Sequence, residues 1–216
     1  MAEDRMNRIL RKACMDGKVE LVLMLITRGA DIDSRDIHGG TPLQYACMKG
    51  HTTTAVLLLD RGADIHSTET NGGTPLHYAC DSGHTATAVL LLDRGADIHS
   101  RDSNGRTPLH YACDCGHTDV AVALVRAGAD TLIKNNQMKT PLDLVESEEL
   151  RAALVREREK YLAWMRRKAF MMFLVGQKYI VMRRHRPVAA AAGLEEDEPL
   201  VDTVMREVNM TIASFL

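Results

Sequence analysis

The sequence is poor in aromatic residues and lacks long apolar segments. Phenylalanine, tryptophan and tyrosine make up 4% of its 216 residues, and only one residue is tryptophan. Its longest uninterrupted apolar runs, at 21–26 and 169–175, are far shorter than the roughly 20 residues that a helix needs to cross a bilayer. The opening segment, MAEDRMNRILRK, is charged and has no apolar core of the kind found in secretory signals. The sequence therefore predicts neither export nor a membrane-spanning segment.

Neither sign of charge dominates the chain, whose formal net charge is −2. This balance gives no overall attraction to nucleic acid or to anionic lipid. The charges are uneven, however, because residues 1–150 hold 15 Lys and Arg against 21 Asp and Glu, whereas residues 151–186 hold 11 against 2. From residue 187 onward the numbers are 1 and 6. A mildly acidic body is thus followed by a basic segment and an acidic end.

Cysteine is scarce as well, with five residues in the chain. An odd number of cysteines in a chain without a predicted secretory signal does not suggest a disulfide framework. Such cysteines are typical of reduced thiols, so we expect a protein of the cytoplasm or the nucleus.

What the sequence does contain is a repeat of 33 residues. The heptapeptide TPLQYAC or TPLHYAC, shortened to TPLDLV in its last copy, begins at Thr41, Thr74, Thr107 and Thr140. The tetrapeptide GADI, which becomes GADT in its last copy, begins at Gly29, Gly62, Gly95 and Gly128. Two markers that keep one register predict that the chain is built from repeated structural units.

Each unit contains the signals for two short helices. A Thr in the N-cap position followed by Pro begins the first helix, and a glycine such as Gly50 ends it. A second helix follows, as in HTTTAVLLLDRG, and Gly62 closes it. The stretch between that glycine and the next Thr is rich in turn residues, which predicts a projecting loop.

These residues resemble the ankyrin repeat family, through TPLHYA, GHT, AVLLLDRGADI and the 33-residue step. The resemblance covers about residues 5–154 and implies an all-α solenoid of helix-turn-helix-loop units. Stacked helix pairs then bury a common core that no single unit could bury alone. Its five repeats are predicted at 5–35, 36–68, 69–101, 102–134 and 135–154, and the two end repeats act as caps.

The rest of the chain does not repeat. We expect a basic amphipathic helical extension at 155–186, a linker at 187–199 and a C-terminal amphipathic helix at 200–216. The basic extension has two interpretations. It is either a capping helix over the last repeat, or a helix that a calmodulin-like protein or a membrane surface recognises.

One cluster invites a metal or catalytic interpretation, because it gathers four soft ligands: His110, Cys113, Cys115 and His117. Residues of the same types stand 33 residues earlier in the chain, so the cluster is largely the repeat pattern with one additional cysteine. We therefore predict no metal site, no cofactor and no catalytic residue. The periodic cysteines should lie on neighbouring first helices, too far apart for disulfides. The resemblance implies that His77 and His110 are structural and bond to the local loop backbone.

The resemblance also implies where a partner would bind, namely at the loop tips and on the exposed inner face of the first helices. Mapped onto this chain, the partner-binding positions are Arg35, Ile37, His38, Met48, Lys49, Thr68, Thr70, Asn71, Asp81, Ser82, Arg101, Ser103, Asn104, Arg106, Asp114 and Cys115. The fifth unit adds Lys134, Asn136, Gln137 and Lys139.

An internal comparison is consistent with this map. Residues 39–67 and 72–100 differ at 4 of 29 positions, and two of the four are the inner-face pairs Met48/Asp81 and Lys49/Ser82. The alternative is that a recent duplication has drifted where packing does not restrain it.

Together these observations predict a non-enzymatic scaffold that binds another protein, with no nucleic acid partner. A second hypothesis is a regulatory adaptor whose C-terminal tail engages other machinery, either the calmodulin-like or membrane-surface target named above or, through an F-box-like ending, a ubiquitin ligase. The sequence does not identify the partner.

Overall fold

The computed structural model describes residues 2–168, and every regular element in that range is helical. Four helix pairs follow one another: α1 Ala2–Met15 with α2 Val19–Thr27, α3 Pro42–Met48 with α4 Thr52–Asp60, α5 Pro75–Asp81 with α6 Thr85–Asp93, and α7 Pro108–Asp114 with α8 Thr118–Arg126. A 3-10 turn at Pro141–Leu144 and a helix, α9, over 148–168 complete the described part. The linker and the C-terminal helix predicted at 187–216 lie outside it, as does the basic extension beyond 168.

The helices form two rows. The first helices of the pairs, α1, α3, α5 and α7, pack against one another, and the second helices, α2, α4, α6 and α8, form a parallel row behind them. The loops that follow the second helices end in hairpins at 35–40, 68–73, 101–106 and 134–139. The predicted all-α solenoid of helix-turn-helix-loop units is confirmed.

The helix ends lie where the Thr-Pro and glycine signals predict them. Thr41 precedes α3 in an extended conformation, and Gln44 and Thr41 form a reciprocal capping box. At the other end, Gly50 takes a φ of +68°, His51 N donates to Ala46 O at 2.9 Å and Gly50 N donates to Cys47 O at 3.1 Å. This closure requires the left-handed backbone that glycine adopts without strain.

The core runs through the whole array without a break. At each step of 33 residues the first helices contribute one fully buried leucine, namely Leu10, Leu43, Leu76 and Leu109. Cys14, Cys47, Cys80 and Cys113 are buried and unpaired beside them, as expected for small packing residues. Burying a leucine fully stabilises a fold by about 1.5–3 kcal/mol. Because adjacent first helices pack against one another, a repeat depends on its neighbours for this stabilisation.

The two threonines at core positions differ in how their hydroxyl groups are satisfied. Thr54 and Thr87 are both buried, but Thr54 Oγ1 has no hydrogen-bond partner among residues 2–168, whereas Thr87 Oγ1 lies 2.8 Å from the hydroxyl of Thr52. In the first and fourth units the equivalent positions hold Leu21 and Val120. Only the α4 threonine therefore carries the full cost of burying an unpaired hydroxyl.

The fifth unit is shorter than the others and caps the array. Its Thr-Pro signal begins only the 3-10 turn, and Val145 then turns to an extended conformation. Helix α9 follows and buries Leu150 and Leu154. The array and the chain up to Tyr161 form one compact unit. The boundary predicted between residues 154 and 155 falls inside α9.

None of the helices within 2–168 combines the length and the hydropathy that a bilayer crossing needs.

Candidate functional site

The sixteen residues predicted to bind a partner outside the fifth unit are all accessible to some degree. Thirteen are exposed, and three, Met48, Ser82 and Arg106, are half-buried. They form two groups, one on the hairpins and one at the C-terminal ends of α3, α5 and α7. The fold determines where both groups lie.

The hairpins are joined to one another in a row. Thr70 N donates to His38 O at 3.0 Å, Ser103 N donates to Asn71 O at 2.8 Å, and Asn136 N donates to Asn104 O at 2.9 Å. These bonds recur at the 33-residue step and connect each hairpin to the one before it. The variable loop residues are therefore held at regular intervals on one connected backbone, which we call the hairpin row.

An acidic side chain organises each of the first three hairpins, a role that the sequence analysis did not predict. Asp102 Oδ1 accepts from Asn104 N at 2.9 Å and from Arg106 N at 2.7 Å, and Oδ2 accepts from the hydroxyl of Tyr111 at 2.7 Å. Asp36 makes the equivalent bonds, including one from Tyr45. The signal was present in the sequence, because an acidic residue stands nine positions before each of these tyrosines.

The second hairpin divides this role between two residues. Glu69 accepts the hydroxyl of Tyr78 at 2.5 Å, while Asn71 Oδ1 accepts from Gly73 N at 2.7 Å. The three tyrosines are thus half-buried members of the scaffold rather than a docking surface. The hydrogen bond to Asp36, together with burial, raises the pKa of Tyr45 to about 12, so this phenol stays protonated at neutral pH.

Two of the predicted binding residues also brace the hairpin row. The guanidinium of Arg35 donates to Thr68 O at 2.7 Å, and that of Arg101 donates to Lys134 O at 2.9 Å. Both arginines remain exposed. Their substitution would loosen neighbouring hairpins as well as change the surface, so neither residue is a clean probe of binding.

A charged pair joins the hairpin row to the helix ends in the fourth unit. Arg106 donates to Asp114 Oδ2 at 2.5 Å, and its guanidinium carbon lies 5.0 Å from the ring centre of Tyr111. This contact brings the two predicted groups of binding residues together. An ion pair this exposed contributes little to stability.

At the end of α5, Asp81 contacts the next repeat. Its side chain accepts a weak hydrogen bond from Cys115 Sγ at 3.5 Å, and its main-chain oxygen lies 3.0 Å from His117 Nε2. Burial and the Asp81 carboxylate raise the pKa of the Cys115 thiol, so the exposed cysteine is not an activated nucleophile.

The buried histidines connect repeats in a way that differs in part from the prediction. His77 Nδ1 accepts from Thr74 N at 3.2 Å, which places the proton on Nε2, and Nε2 donates to Arg106 O at 3.1 Å. His110 bonds in the same way to Thr107 and to Lys139 O. The carbonyl acceptor belongs to the next hairpin instead of the local loop. Burial lowers the pKa of both histidines, which favours the neutral ring that this pattern needs.

The four residues of the suspected metal cluster have separate surroundings. His110 and Cys113 are buried, while Cys115 is exposed and His117 points its Nε2 at a backbone oxygen. Burial raises the pKa of Cys113 to about 12. Within residues 2–168, no three His, Cys, Asp or Glu side chains are arranged to hold a metal ion.

At the N-terminal end of the hairpin row lies an open groove of about 540 Å³ between α1 and the first hairpin. The sequence did not predict this groove, because the first unit was expected only to cap the array. Asp4, Arg8, Arg11, Lys12 and Met15 line it from α1, and Arg35, Asp36, Ile37 and Tyr45 line it from the first hairpin and α3. We call it the basic groove.

At the other end, α9 closes the array. Arg126 of α8 donates to the carboxylate of Glu157 at 3.1 and 3.3 Å, and Lys160 adds a bond at 2.9 Å. The hydrogen bonds from Arg126 and then Lys160 lower the pKa of Glu157 to about 2. The start of the predicted basic extension is therefore engaged with the last repeats.

Comparison with known proteins gives a family match. The profile described as "Ankyrin repeats (3 copies)" matches residues 10–102 and, in an overlapping second match, residues 66–135. No curated protein matches the chain. The two matches cover more than half of the sequence and coincide with the helix pairs and hairpins described above. The chain belongs to the ankyrin repeat family.

Proposed function

We propose that the chain is a non-enzymatic scaffold that binds a partner protein through the hairpin row and the adjoining ends of α3, α5 and α7. Ankyrin repeats are generally protein-protein interaction modules. The hairpin row is the observation that carries the proposal, because its hydrogen bonds hold variable, exposed side chains on an invariant backbone. A surface organised before binding loses less conformational entropy when a partner docks.

The near-identical second and third units support the same proposal. Between residues 39–67 and 72–100 the buried residues are the same except for Gln44, which is replaced by His77, whereas the ends of α3 and α5 change from Met48 and Lys49 to Asp81 and Ser82. All four side chains are at least partly accessible. The surface differs although the scaffold is conserved between the two units.

Affinity purification with a face variant tests the proposal. The variant Met48→Ser, Asp81→Ser, Asp114→Ser changes the ends of the three first helices. Its matched control, Met24→Ser, Asp93→Ser, Asp119→Ser, removes the same three side-chain types from exposed positions on second helices. We expect the face variant to lose partners that the wild type and the control retain, with all three proteins melting at similar temperatures. Equal capture by both variants would contradict the proposal.

The alternative, a regulatory adaptor, depends on the basic extension and on the F-box-like ending. The structure describes this region only to residue 168, where the ammonium of Lys168 lies 5.0 Å from the ring centre of Trp164. The adaptor role stays a prediction. Its calmodulin and membrane versions are tested by a peptide covering 158–186, which should gain helix with calcium-loaded calmodulin or with anionic vesicles if either version holds.

A further inference from the structure

The first hairpin has an open edge. In the three later hairpins, the amide groups of Thr70, Ser103 and Asn136 each donate to the carbonyl of the preceding hairpin. The equivalent residue of the first hairpin is Ile37, one 33-residue step before Thr70. Its N–H has no hydrogen-bond partner among residues 2–168, because helix α1 occupies the place of a preceding hairpin. The repeat geometry directs this amide toward α1, across the basic groove.

The groove beside this edge is positively charged. Arg8 and Arg11 form no ion pair within the described residues, and Arg35 donates to a carbonyl rather than to a carboxylate. The carboxylate of Asp36 already accepts hydrogen bonds from Tyr45 and from two backbone amides. Asp4 also lines the groove, and Lys12 pairs with Asp16 at 3.0 Å. Four cationic side chains thus stand against the three carboxylates of Asp4, Asp16 and Asp36, so the basic groove keeps a surplus of positive charge, although residues 1–150 as a whole carry more acidic than basic residues.

The hairpin also presents an apolar side chain at this point. Ile37 is 91% exposed, whereas the equivalent residues of the later hairpins are the polar Thr70, Ser103 and Asn136. When a partner covers an aliphatic side chain that is this exposed, apolar surface is removed from water, and this favours binding. Met15 lines the same groove from α1 and adds a second apolar contact.

We propose that the basic groove binds an extended acidic segment of a partner protein. A main-chain carbonyl of the segment accepts the hydrogen bond from Ile37 N–H, as the preceding hairpin does in later repeats. Carboxylates of the segment pair with Arg8 and Arg11, and one apolar side chain packs on Ile37. Adding a strand-like segment to an open edge is an established mode of peptide recognition. This inference rests on the proposed function and names the chemistry of one part of its partner.

A peptide fits this groove better than a nucleic acid does. The open amide and the exposed Ile37 suit a main-chain carbonyl with an apolar side chain beside it, whereas a phosphate backbone would leave the isoleucine uncovered. The acidic excess of residues 1–150 also repels a long polyanion that would extend beyond the groove.

Peptide selection with the full-length protein tests the inference. A random peptide library displayed on phage is selected against the whole chain, and the most enriched peptide is synthesised with a fluorescent label. We expect enriched peptides with net negative charge and an apolar residue, whose affinity falls as salt increases. The variant Arg8→Gln, Arg11→Gln should weaken binding by about tenfold, and Ile37→Thr, which copies Thr70 of the second hairpin, should weaken it several-fold.

The control is Arg28→Gln, Arg61→Gln, which removes two exposed positive charges that directly follow the second helices α2 and α4. It should leave the affinity unchanged, and circular dichroism should show equal helix content in all variants. Enriched peptides without an acidic excess, or equal weakening by the control, would overturn the inference. Binding of poly-uridine RNA that depends on Arg8 and Arg11 would overturn it as well. If the inference fails while the face variant still loses partners, the proposed function stands.

Discussion

His77 Nε2 lies 3.1 Å from the carbonyl oxygen of Arg106, 29 residues further along the chain. In the second unit Gln44 fills the same position: its Oε1 accepts from Thr41 N at 2.8 Å, and its Nε2 donates to Gly73 O at 2.9 Å, again 29 residues ahead. An amide and a neutral imidazole thus make the same link, from a helix start to the next hairpin. Only the imidazole can gain a proton near neutral pH.

The first prediction is a pH dependence of stability. Burial lowers the pKa of His77 and His110 below the ordinary value of about 6.5, so the unfolded chain binds more protons than the folded one below that pH. The free energy of unfolding should therefore fall as the pH drops below about 6.5. The variant His77→Gln, His110→Gln should reduce this dependence and, following Gln44, remain folded. Urea unfolding from pH 7.5 to 5 measures it, and an unchanged pH slope in the variant would refute the role assigned to these rings.

The second prediction concerns glycines that end the first helices. A Cβ on Gly50 would lie 2.4 Å from the His84 ring, and one on Gly83 would lie 2.7 Å from the His117 ring. Gly116 has the same left-handed backbone, but no atom of the described residues lies within 4 Å of such a Cβ. Alanine at any of the three carries a backbone cost of about 1–2 kcal/mol. At Gly50 and Gly83 the displaced ring should add at least about 1 kcal/mol.

Thermal and urea unfolding of the three single alanine variants give this comparison directly. Gly116→Ala serves as the control for the backbone cost alone. Equal destabilisation at all three positions would mean that the histidine rings do not pack on the glycines as described.

The third prediction compares Thr54 of α4 with Thr87 of α6, which stand at equivalent positions in two repeats. Thr54→Val removes a buried hydroxyl that has no hydrogen-bond partner in the part of the chain that the structure describes, and it should stabilise the protein by about 1 kcal/mol. Thr87→Val removes a hydroxyl bonded to Thr52, so it should be neutral or destabilise by up to about 1 kcal/mol. The measurement is the free energy of unfolding of each variant. Effects of the same sign and size at both positions would contradict the difference in hydrogen bonding.

The fourth prediction concerns Met138, which has a φ of +62° where the earlier hairpins have Gly39, Gly72 and Gly105. A left-handed backbone strains a methionine, so Met138→Gly should stabilise the protein by up to about 1 kcal/mol. The last hairpin is not followed by another, and this explains why a side chain fits there. A Cβ on Gly72, by contrast, would lie 3.0 Å from the next hairpin. A lower melting temperature for Met138→Gly would argue against strain at this position.

The sequence was sufficient to predict the repeating fold, because the decisive signals are local. Thr41 and Pro42 begin a helix, and Gly50 ends it, through contacts within one unit. The links between units could not be predicted in the same way. The bond from His77 to the next hairpin depends on how far apart two repeats stack, and that distance is set by packing rather than by spacing along the chain.

The candidate binding surface was predictable only in outline. The 33-residue step located the loop tips, and the structure leaves all of them accessible. The repeat pattern did not reveal that Arg35 and Arg101 connect neighbouring hairpins, nor that the first hairpin has an open edge at Ile37. These features depend on which neighbour is present, and the first unit differs from the others by having α1 where they have a hairpin.

The central claim is that a partner binds along the hairpin row and the adjoining ends of the first helices. Hydrogen-deuterium exchange on the complex of the full-length protein with its captured partner, compared with the free protein, tests it most directly. The account predicts slower exchange at 35–40, 68–73 and 101–106 and at the ends of α3, α5 and α7, with little change in α4, α6 and α8. Protection confined to those second helices, or to the chain beyond residue 155, would contradict it.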